Sequence, residues 1–528
     1  MNGGPGASSL LGLLSENGPC FVNPDSNSTS LNPWSWNNEV NMLYLDQPTQ
    51  AGFSYDTPHN VSFNLLTGNI SDFTDKTPKQ NSTFIYGTYG SGKKTRTAHG
   101  TEDAARAAWH FMQIWLQEFP GYHPHNSKVH LAAESYGGRY GPAFAAYFEE
   151  QNAKIRNSTL PTSSVHEAII IDLESLLIVN GCIDRLVQVP SYIKMVSDNT
   201  YGIEALNETV VKNMTHSLER KHGCRDRILL CRELAAVSDP ENLGVNRTGT
   251  SPCCHLSLSL SLTRPPVNEV CHAAERFCST YLITPYRRHS GRNYYDIATL
   301  DPDPFPPPFF GGYLNQAHVQ QALGVPVNWT RSSSVVNAAF SAVGDYPRDG
   351  WLHKLQYLLS SGVRVALMYG DRDFACNWYG GEAVSLALNY SNFNDAGYAD
   401  LETNASYTGG LVREHGNLSF SRVFETGHEV PAYQPETAYR IFMRVLFGDD
   451  VATGSTKVSS EYSTKGLQDS SGVKNDGIEQ PLQFCYLLDY KTCTDEQFEA
   501  VGNGTAEVVE WIVKDRNSTI LFPDLFKS

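Results

Sequence analysis

The chain has 528 residues, of which 41% are hydrophobic, so it can bury a large core in one domain with insertions or in two domains. Its formal net charge of −16 excludes a protein that binds nucleic acid through a strongly basic face. No run of about 18 apolar residues occurs, so we expect no membrane span.

Cysteines and glycosylation sequons predict a protein of the secretory pathway, either secreted or vacuolar, that carries N-linked glycans. The chain has 11 cysteines, and several of them lie at short spacings. Met1 is followed at once by the loop Asn2-Gly3-Gly4-Pro5-Gly6, without the charged start and apolar stretch of a signal peptide, so we expect the true N-terminus to lie upstream. The sequons are at Asn27, Asn60, Asn69, Asn81, Asn157, Asn207, Asn213, Asn246, Asn328, Asn389, Asn404, Asn417, Asn503 and Asn517.

Residues 1–183 alternate between strand-like and helix-like segments, which predicts the first part of a parallel α/β core. The predicted elements in chain order are a buried strand at 41–45, a polar surface loop at 56–99, an amphipathic helix at 101–119, a strand at 129–133, a helix at 139–152, and strands at 168–171 and 176–179.

Residues 184–310 are rich in charged residues and cysteine and have helical patches, which predicts a mainly helical cap inserted over the sheet. Residues 256–262 within it alternate strictly between Leu and Ser. This alternation fits a β-strand, but we favour a low-complexity stretch without a folded role, such as translated non-coding sequence.

The sequence pattern of residues 311–449 predicts the second part of the core, with a strand at 363–369 and a helix at 435–447. Residues 450–528 predict a linker, flexible over 451–475, followed by a C-terminal extension. Cys485 and Cys493 could close a small loop in that extension.

A candidate nucleophile lies in residues 128–138, where an apolar run leads through Ala133-Glu-Ser135-Tyr-Gly into a helix-like segment. This order is typical of a nucleophile elbow, whose strict form is Gly-x-Ser-x-Gly. Alanine at the first position is a mild departure, because it is also small. Such short patterns also occur by chance, so a base and an oxyanion hole are needed to support a hydrolase or an acyltransferase.

Two later residues can complete a triad in the order Ser, Asp, His that α/β-hydrolases use. Asp373 follows the predicted strand at 363–369, and His428 follows the apolar pair at 423–424. Alternatively, Asp373 belongs to a solvated turn, and His428 is an ordinary loop histidine among 16. The chain order and the position after strands favour Ser135, Asp373 and His428 as a triad.

Oxyanion donors are expected from the amide of Tyr136, the residue after the nucleophile, and from the glycine-rich loop at residues 2–6. Glycines allow the backbone to approach a substrate closely. The loop could instead be an ordinary Gly/Pro turn. A phosphate-binding loop is excluded, because no Gly-Lys-Ser/Thr follows.

Five motifs together resemble the serine carboxypeptidase family, and in particular its secreted fungal members. They occur in the family's order and extend from residue 2 to about residue 447. The resemblance implies an α/β-hydrolase fold in which Ser135 is the nucleophile, His428 its base and Asp373 the group that orients the base, with oxyanion donors at Gly4 and Tyr136. The motifs are Asn2-Gly-Gly-Pro-Gly-Ala-Ser-Ser, Asp46-Gln-Pro with Gly52-Phe-Ser-Tyr, Glu134-Ser-Tyr-Gly, Asp373-Phe-Ala-Cys-Asn-Trp and Gly427-His-Glu-Val-Pro.

The same resemblance implies further site residues. Asn2, Glu16 and Glu134 would bind the free C-terminal carboxylate of a substrate, best when the glutamates are protonated, which predicts hydrolysis favoured at acidic pH. Cys376 would be a free thiol lining the acyl side of the pocket, or else an inert buried cysteine. Glu429 would line the pocket of the leaving residue and favour a basic one. The implied disulfides are Cys224–Cys278 and Cys231–Cys271.

The expected partners are peptides or proteins with a free C-terminus, and neither the motifs nor the resemblance points to a metal or another cofactor. Two other functions remain open. An acyltransferase of the same family would use the same triad but pass the acyl group to an alcohol or amine. An inactive truncated member would result if the strands that precede the glycine-rich loop are missing, because the loop would then lack an anchor.

Overall fold

The computed structural model describes residues 1–66, 70–77, 79–160, 167–244, 266–477 and 479–527. The Leu/Ser stretch at residues 256–262, Cys253, Cys254 and the sequons at Asn69 and Asn246 lie outside the described residues. Within the described ranges, no helix combines the length and the apolar composition that a membrane span needs.

The amphipathic helix predicted at residues 101–119 is confirmed as α2. Ala104, Ala108 and Met112 are spaced by four residues and form its buried stripe, and Pro120 cannot continue the helix. The elements up to residue 183 are α1 (Leu10–Ser15), β1 (Cys20–Val22), β2 (Thr29–Leu31), β3 (His59–Asn64), β4 (Ile70–Asp72), β5 (Phe84–Tyr89), α2 (Thr101–Glu118), β6 (Lys128–Glu134), α3 (Gly137–Arg156) and β7 (Asp172–Val179).

The remaining elements form the cap, the second part of the core and the C-terminal extension. They are α4 (Arg185–Gln188), α5 (Ser191–Ser197), α6 (Glu208–Glu219), α7 (Cys224–Ser238), α8 (Val267–Cys278), α9 (Thr284–His289), α10 (Phe310–Leu314), α11 (Ala317–Leu323), α12 (Ser334–Val343), α13 (Trp351–Ser360), β8 (Arg364–Gly370), α14 (Trp378–Ala387), β9 (Ala399–Asn404), β10 (Tyr407–His415), β11 (Leu418–Val423), α15 (Val430–Tyr433), α16 (Pro435–Phe447), α17 (Asp495–Gly502), β12 (Val508–Val509), β13 (Ile512–Val513) and α18 (Arg516–Leu521).

In the part of the chain that the structure describes, a six-stranded sheet in the order β6-β7-β8-β11-β10-β9 forms the centre of the core. The first four strands are parallel, and β10 and β9 are antiparallel. Leu176 and Ile178 pack on the face covered by α3, whereas Leu177 and Val179 pack on the face covered by α16, as the two-residue period of a strand requires. The carboxyl ends of the four parallel strands meet at one edge.

The cap is mainly helical, as predicted, and the two implied disulfides join α7 to α8. These are Cys224–Cys278 and Cys231–Cys271. The two cysteines on each helix are seven residues apart, which is about two helical turns, so each helix presents both to its neighbour. Closing loops of 54 and 40 residues is expected to stabilise the fold by about 4 kcal/mol each in the chain-entropy model.

Two predictions for the first hundred residues are wrong. Residues 41–45 pair with no strand of the described chain; the hydroxyl of Ser9 donates a hydrogen bond to the carbonyl of Leu45 instead, at 2.6 Å. Residues 56–99 contain a three-stranded antiparallel sheet in the order β4-β3-β5, not only a polar loop. The β-branched and aromatic residues of β3 and β5 favour this sheet.

The prediction of a flexible linker at residues 451–475 is also wrong. Leu467 and Tyr398 exchange backbone hydrogen bonds of 2.6 and 3.2 Å, and the amide of Thr464 donates to the carbonyl of Glu414 at 2.9 Å. The segment therefore lies against the antiparallel part of the central sheet, where its backbone pairs with groups that would otherwise be unpaired.

The tail, defined here as residues 479–527, is folded against the core. The predicted small loop is closed by a disulfide between Cys485 and Cys493. Tyr486 is buried between the core and the tail, since its hydroxyl accepts from the amide of Gly312 at 3.0 Å and shares a hydrogen bond of 2.9 Å with the hydroxyl of Ser26.

Candidate active site

A sharp turn between β6 and α3 presents Ser135. Its φ of 63° lies in the left-handed region, which residues other than glycine rarely adopt. The turn needs small neighbours, because a Cβ on Gly138 would lie 2.8 Å from the backbone nitrogen of Cys182, and one on Gly137 would lie 2.9 Å from the Cβ of Ala133. The backbone thus has the strand–turn–helix form that the elbow motif predicts.

Asp373 and His428 lie side by side after the carboxyl ends of β8 and β11. Nδ1 of His428 is 2.6 Å from Oδ2 of Asp373, and both side chains are buried. Asp373 also accepts hydrogen bonds from the amides of Ala375 and Cys376, at 2.7 and 3.1 Å, and from Nδ2 of Asn180 at 2.9 Å. These contacts fix the carboxylate, and through it the orientation of the imidazole ring.

The pKa of His428 reflects opposing effects. Burial lowers it, but the charge and hydrogen bond of Asp373 raise it more, to about 9, and the charges of Glu429 and Glu16 add to the increase. A general base must be neutral before it can accept a proton. Protonation of Glu429 removes one of the charges that retain the proton on His428, and so frees the base at lower pH.

The glycine-rich loop lies directly against the elbow. A Cβ on Gly3 would be 2.2 Å from the backbone nitrogen of Tyr136, so only glycine allows this approach, and Gly4 has a φ of 103°. The amide of Glu134 donates to the carbonyl of Met1 at 2.9 Å, which anchors the loop on β6. The amides of Gly4 and Tyr136 donate no hydrogen bond within the described chain, so both are available to an oxyanion.

Asp345 holds Tyr136 in place, and sequence reasoning did not find it. The hydroxyl of Tyr136 donates to Oδ2 of Asp345, which also accepts from the hydroxyl of Thr101 at 2.6 Å. The amide of Thr101 donates to Oδ1 at 2.9 Å. Burial and the charge of Asp345 raise the pKa of Tyr136 well above its ordinary value. Tyr136 therefore keeps its proton, and this buried network fixes the residue that follows Ser135.

Asn2, Glu16 and Glu134 form one buried cluster next to the elbow. Nδ2 of Asn2 donates to Oε1 of Glu16 at 3.1 Å and to Oε1 of Glu134 at 2.9 Å, while its Oδ1 accepts from the amide of Gly12 at 3.2 Å. Oε2 of Glu16 has no hydrogen-bond partner within the described residues. A buried polar atom without a partner is unfavourable, so this oxygen marks a position that a ligand can fill.

Glu134 of this cluster holds its proton more tightly than an isolated glutamate does. Burial raises its pKa well above the ordinary value, and the charge and hydrogen bond of Glu16 raise it further. Two adjacent buried carboxyl groups cannot both ionise cheaply. Glu134 therefore retains a proton where an isolated glutamate has lost it, and can donate a hydrogen bond to a ligand carboxylate.

Glu429 is half-buried directly after His428. Burial raises its pKa to about 7; the positive charges of His428 and Arg331 oppose the shift, and the charge of Glu16 adds to it. Glu429 is therefore mostly protonated in the acidic range.

The prediction that Cys376 is a free thiol is wrong; Cys376 is buried, as the alternative expects, but within a disulfide. Cys376 forms a disulfide with Cys182, which lies 194 residues earlier in the chain, so local spacing could not reveal the pair. The amide of Cys182 donates to the carbonyl of Ser135 at 2.8 Å, and the amide of Cys376 donates to Asp373. The disulfide thus connects the elbow to the Asp373 loop.

Asp373, Cys376 and His428 present atoms that all lie within 4.8 Å of one another. This arrangement resembles a metal-binding cluster in its residue types. The sulfur of Cys376 is part of a disulfide and is not a thiolate, so the group lacks the sulfur ligand that a metal site of this composition requires.

We expect thiol-directed reagents to leave the activity of the oxidised protein unchanged, because these reagents attack thiolates. A double variant with Cys182→Ala and Cys376→Ala removes this disulfide alone and should lower kcat/KM by about 10- to 100-fold, since it loosens the attachment of Asp373 to the elbow. Residual activity checks this. Reduction followed by alkylation opens all four disulfides of the described residues and should lower the activity at least as much. Because Cys20 is a free cysteine, rapid inactivation of the oxidised protein by a mercurial would contradict the expectation if mass spectrometry locates the reagent on Cys182 or Cys376.

A serine on a strand–helix turn, and an Asp–His pair after later strands of a mainly parallel sheet beneath a helical cap, define an α/β-hydrolase. A solved structure of a prohormone-processing carboxypeptidase from Saccharomyces cerevisiae has a similar fold, with a TM-score of 0.57 and 23% sequence identity, covering 84% of this chain and 82% of that one. The family model for serine carboxypeptidases matches residues 1–448, and the chain belongs to this family.

Curated relatives agree with this family. Carboxypeptidase S1 homolog B of Arthroderma otae is 56% identical over all of this chain and 79% of its own length. Carboxypeptidase S1 homolog A of Trichophyton rubrum is 47% identical over 97% of this chain and 77% of its own. Carboxypeptidase S1 of Penicillium janthinellum is 30% identical over 84% of this chain and 86% of its own. The predicted family and fold are confirmed, and the chain is a serine-type carboxypeptidase.

Proposed function

We propose that the chain releases C-terminal residues from peptides and proteins through an acyl-enzyme on Ser135. Oγ of Ser135 attacks the scissile carbonyl carbon while Nε2 of His428 takes the hydroxyl proton, and Asp373 stabilises the imidazolium that forms. The amides of Gly4 and Tyr136 stabilise the oxyanion. His428 then protonates the leaving amine as the peptide bond breaks. Water attacks the ester in the second step and regenerates Ser135.

The main support for exopeptidase action is the position of Glu134, which immediately precedes Ser135. Glu134 and Glu16 both accept hydrogen bonds from the side-chain amide of Asn2. With Glu134 protonated, this cluster can bind the α-carboxylate of the last residue, which places the preceding peptide bond at the nucleophile. An internal peptide bond offers no carboxylate to this cluster. The site therefore supports cleavage at a free C-terminus.

The ratio of kcat/KM for a free-acid peptide to that for the same peptide with a C-terminal amide tests this proposal. We expect the ratio to be highest in acid and to fall as the pH rises through the raised pKa of Glu134, because the deprotonated Glu134 repels the substrate carboxylate. Protonation of His428 changes kcat/KM for both substrates by the same factor, so this effect cancels in the ratio.

Glu134→Gln should make this ratio less dependent on pH, because the amide remains a donor at every pH. A wild-type ratio near one across the pH range would contradict the carboxylate site. Amino acid release that requires an added alcohol or amine would favour the acyltransferase instead. A kcat/KM for free-acid peptides that rises from acid to neutral pH would contradict the expected acidic optimum.

We further propose that Glu429 lines the pocket of the leaving residue and that the Cys182–Cys376 disulfide lines the acyl side. An ionised carboxylate at Glu429 would favour a basic leaving residue. Its pKa of about 7 confines that preference to neutral and alkaline pH.

We also propose that the protein carries N-linked glycans and follows the secretory pathway to the cell exterior or the vacuole. Its four disulfides within the described residues are typical of oxidising compartments. A fall in apparent mass after glycosidase treatment tests the glycans. Exposed sequon residues support them, namely Asn27, Asn60, Asn81, Asn157, Asn207, Asn213, Asn389, Asn404 and Asn503.

A further inference from the structure

The tail contacts a short irregular segment that lies against the glycine-rich loop. This segment, residues 329–333, is called the strap here, and it ends directly before the first residue of α12. The strap belongs to no helix and forms only a single β-bridge, so its position depends on the groups that contact it. The tail lies beyond the residues that the family model matches, so the motifs of the family do not describe these contacts.

On one side, the strap is hydrogen-bonded to the glycine-rich loop and to the residues that follow it. The carbonyl of Arg331 accepts from the amide of Ser8 at 3.0 Å, and Nε1 of Trp329 donates to Oγ of Ser8 at 2.8 Å. The amide of Ser333 donates to the carbonyl of Gly6 at 2.9 Å. The strap therefore binds both ends of this turn of the backbone.

The same loop contacts the elbow on its other side. The amide of Ala7 donates to the carbonyl of Gly3 at 3.0 Å. Gly3 lies so close to Tyr136 that a Cβ on it would be 2.2 Å from the backbone nitrogen of Tyr136. Gly4 lies between these contacts in the chain. A displacement of the strap is therefore transmitted to the amide of Gly4 through a few backbone hydrogen bonds.

The tail holds the strap through an apolar contact. Trp329 of the strap is buried in a hydrophobic cluster that includes Phe484 and Ile512 of the tail. The ring of Trp329 lies edge to face with the ring of Phe310, at a centroid distance of 5.5 Å, and Phe310 belongs to the same cluster. The beginning of the strap is therefore packed between the core and the tail.

A charged contact with the tail follows two residues later in the strap. Asp489, in the disulfide loop of the tail, forms an ion pair with the guanidinium of Arg331. The side chain of Asp489 is only 11% exposed and that of Arg331 is 36% exposed, so the pair is partly shielded from solvent. The backbone of Asp489 is held within its loop, because its amide donates to the carbonyl of Tyr486 at 2.9 Å and its carbonyl accepts from the amide of Thr492 at 3.0 Å.

We propose that Asp489 is a positioning residue of the oxyanion site. Through its ion pair with Arg331 it holds the strap, and through the strap it holds the amide of Gly4 in place relative to Ser135. The inference deepens the proposed function and rests on it, because it takes Gly4 as an oxyanion donor. The tail is then needed for the rate of the reaction, although it contributes no group that touches the substrate.

Asp489→Asn tests the inference, because it removes the charge and nearly keeps the shape of the side chain. We expect kcat and kcat/KM for a free-acid peptide to fall together by about three- to fivefold, the range that a partly exposed ion pair supports. KM should not change, because the oxyanion hydrogen bonds form in the transition state. The rate at which an organophosphate labels Ser135 should fall by a similar factor. The number of labelled sites gives the concentration of assembled enzyme, so the rate per site does not depend on how much of the variant is folded.

Two further variants show whether Asp489 acts through Arg331. Arg331→Gln should lower kcat by a similar factor, and Asp489→Asn added to it should cause no further loss, because the two side chains form one interaction. Asp489→Glu keeps the charge and should retain most of the wild-type kcat.

Asp524→Asn is the matched control, because Asp524 is an exposed tail aspartate whose partner is Lys527. It should keep the wild-type kcat. A wild-type kcat in Asp489→Asn, a change confined to KM or to the number of labelled sites, or losses that multiply in the double variant would overturn the inference. The proposed function still holds in these cases if the wild-type protein is labelled and releases C-terminal residues. A wild-type protein that does neither would overturn both.

Discussion

Replacement of Ser135 by alanine is expected to lower kcat for a free-acid peptide by about 10⁶-fold, the loss seen when a catalytic serine acts as a unit with its base. Without Oγ no acyl-enzyme can form, and only substrate binding and the oxyanion donors remain. The measurement is amino acid release in single turnover, together with labelling by an organophosphate. Wild-type protein should be labelled at Ser135 and the variant at no residue.

Ser158→Ala is the control for this variant. Ser158 is exposed and has a φ of 54°, so it shares the left-handed backbone conformation of Ser135. A change from serine to alanine at Ser158 therefore reproduces the backbone effect without removing a nucleophile, and activity should be retained. Failure of the wild-type protein to react with the organophosphate would support the alternative that the chain is an inactive member of the family.

Asp373→Asn is expected to lower kcat by about 10⁴-fold, the loss seen for this substitution in a triad. Oδ2 of Asp373 faces Nδ1 of His428 and also accepts from Nδ2 of Asn180 and the amide of Cys376, whereas Oδ1 accepts from the amide of Ala375. An asparagine offers one oxygen and one NH₂ group to these donors, so at least one donor loses its acceptor. The neutral amide also stabilises the imidazolium of His428 less than the carboxylate does.

The pH profile provides a second measurement for this variant. Among the neighbouring charges, Asp373 raises the pKa of His428 most. Its removal should lower this pKa, so the residual activity should begin to rise at a lower pH than in the wild-type protein. Unfolding by urea should show that the variant folds. A profile that keeps its wild-type position, or a loss of less than about tenfold, would contradict the assignment of Asp373 as the orienting residue.

The main parts of the fold and the site could be predicted from the sequence because their signals are local. The elbow around Ser135 has a strand, a small-residue turn and a helix within about 30 residues. Asp373 and His428 each follow a strand, and parallel strands present their carboxyl ends at one edge. The cysteine pairs of α7 and α8 were implied by the family resemblance alone, since sequence spacing does not fix connectivity.

The residues that sequence reasoning missed act through distant contacts. Asn180 and Asp345 belong to types that are common in turns, so only the folded chain shows that one binds Asp373 and the other Tyr136. The partner of Cys376 lies 194 residues away. The linker prediction failed because a polar segment that pairs with a sheet edge has the same composition as one that remains in solvent.

The parallel pairing of β7 with β8 has a consequence for the order of folding. These strands are consecutive in the sheet, yet the whole cap lies between them in the chain, and the contact of Asn180 with Asp373 spans 193 residues. Contacts of such high sequence separation form late, because the entropy of closing a long loop must be overcome first. A partly folded chain therefore has no assembled proteolytic centre. Newly made copies cannot digest one another until the strands on either side of the cap have paired.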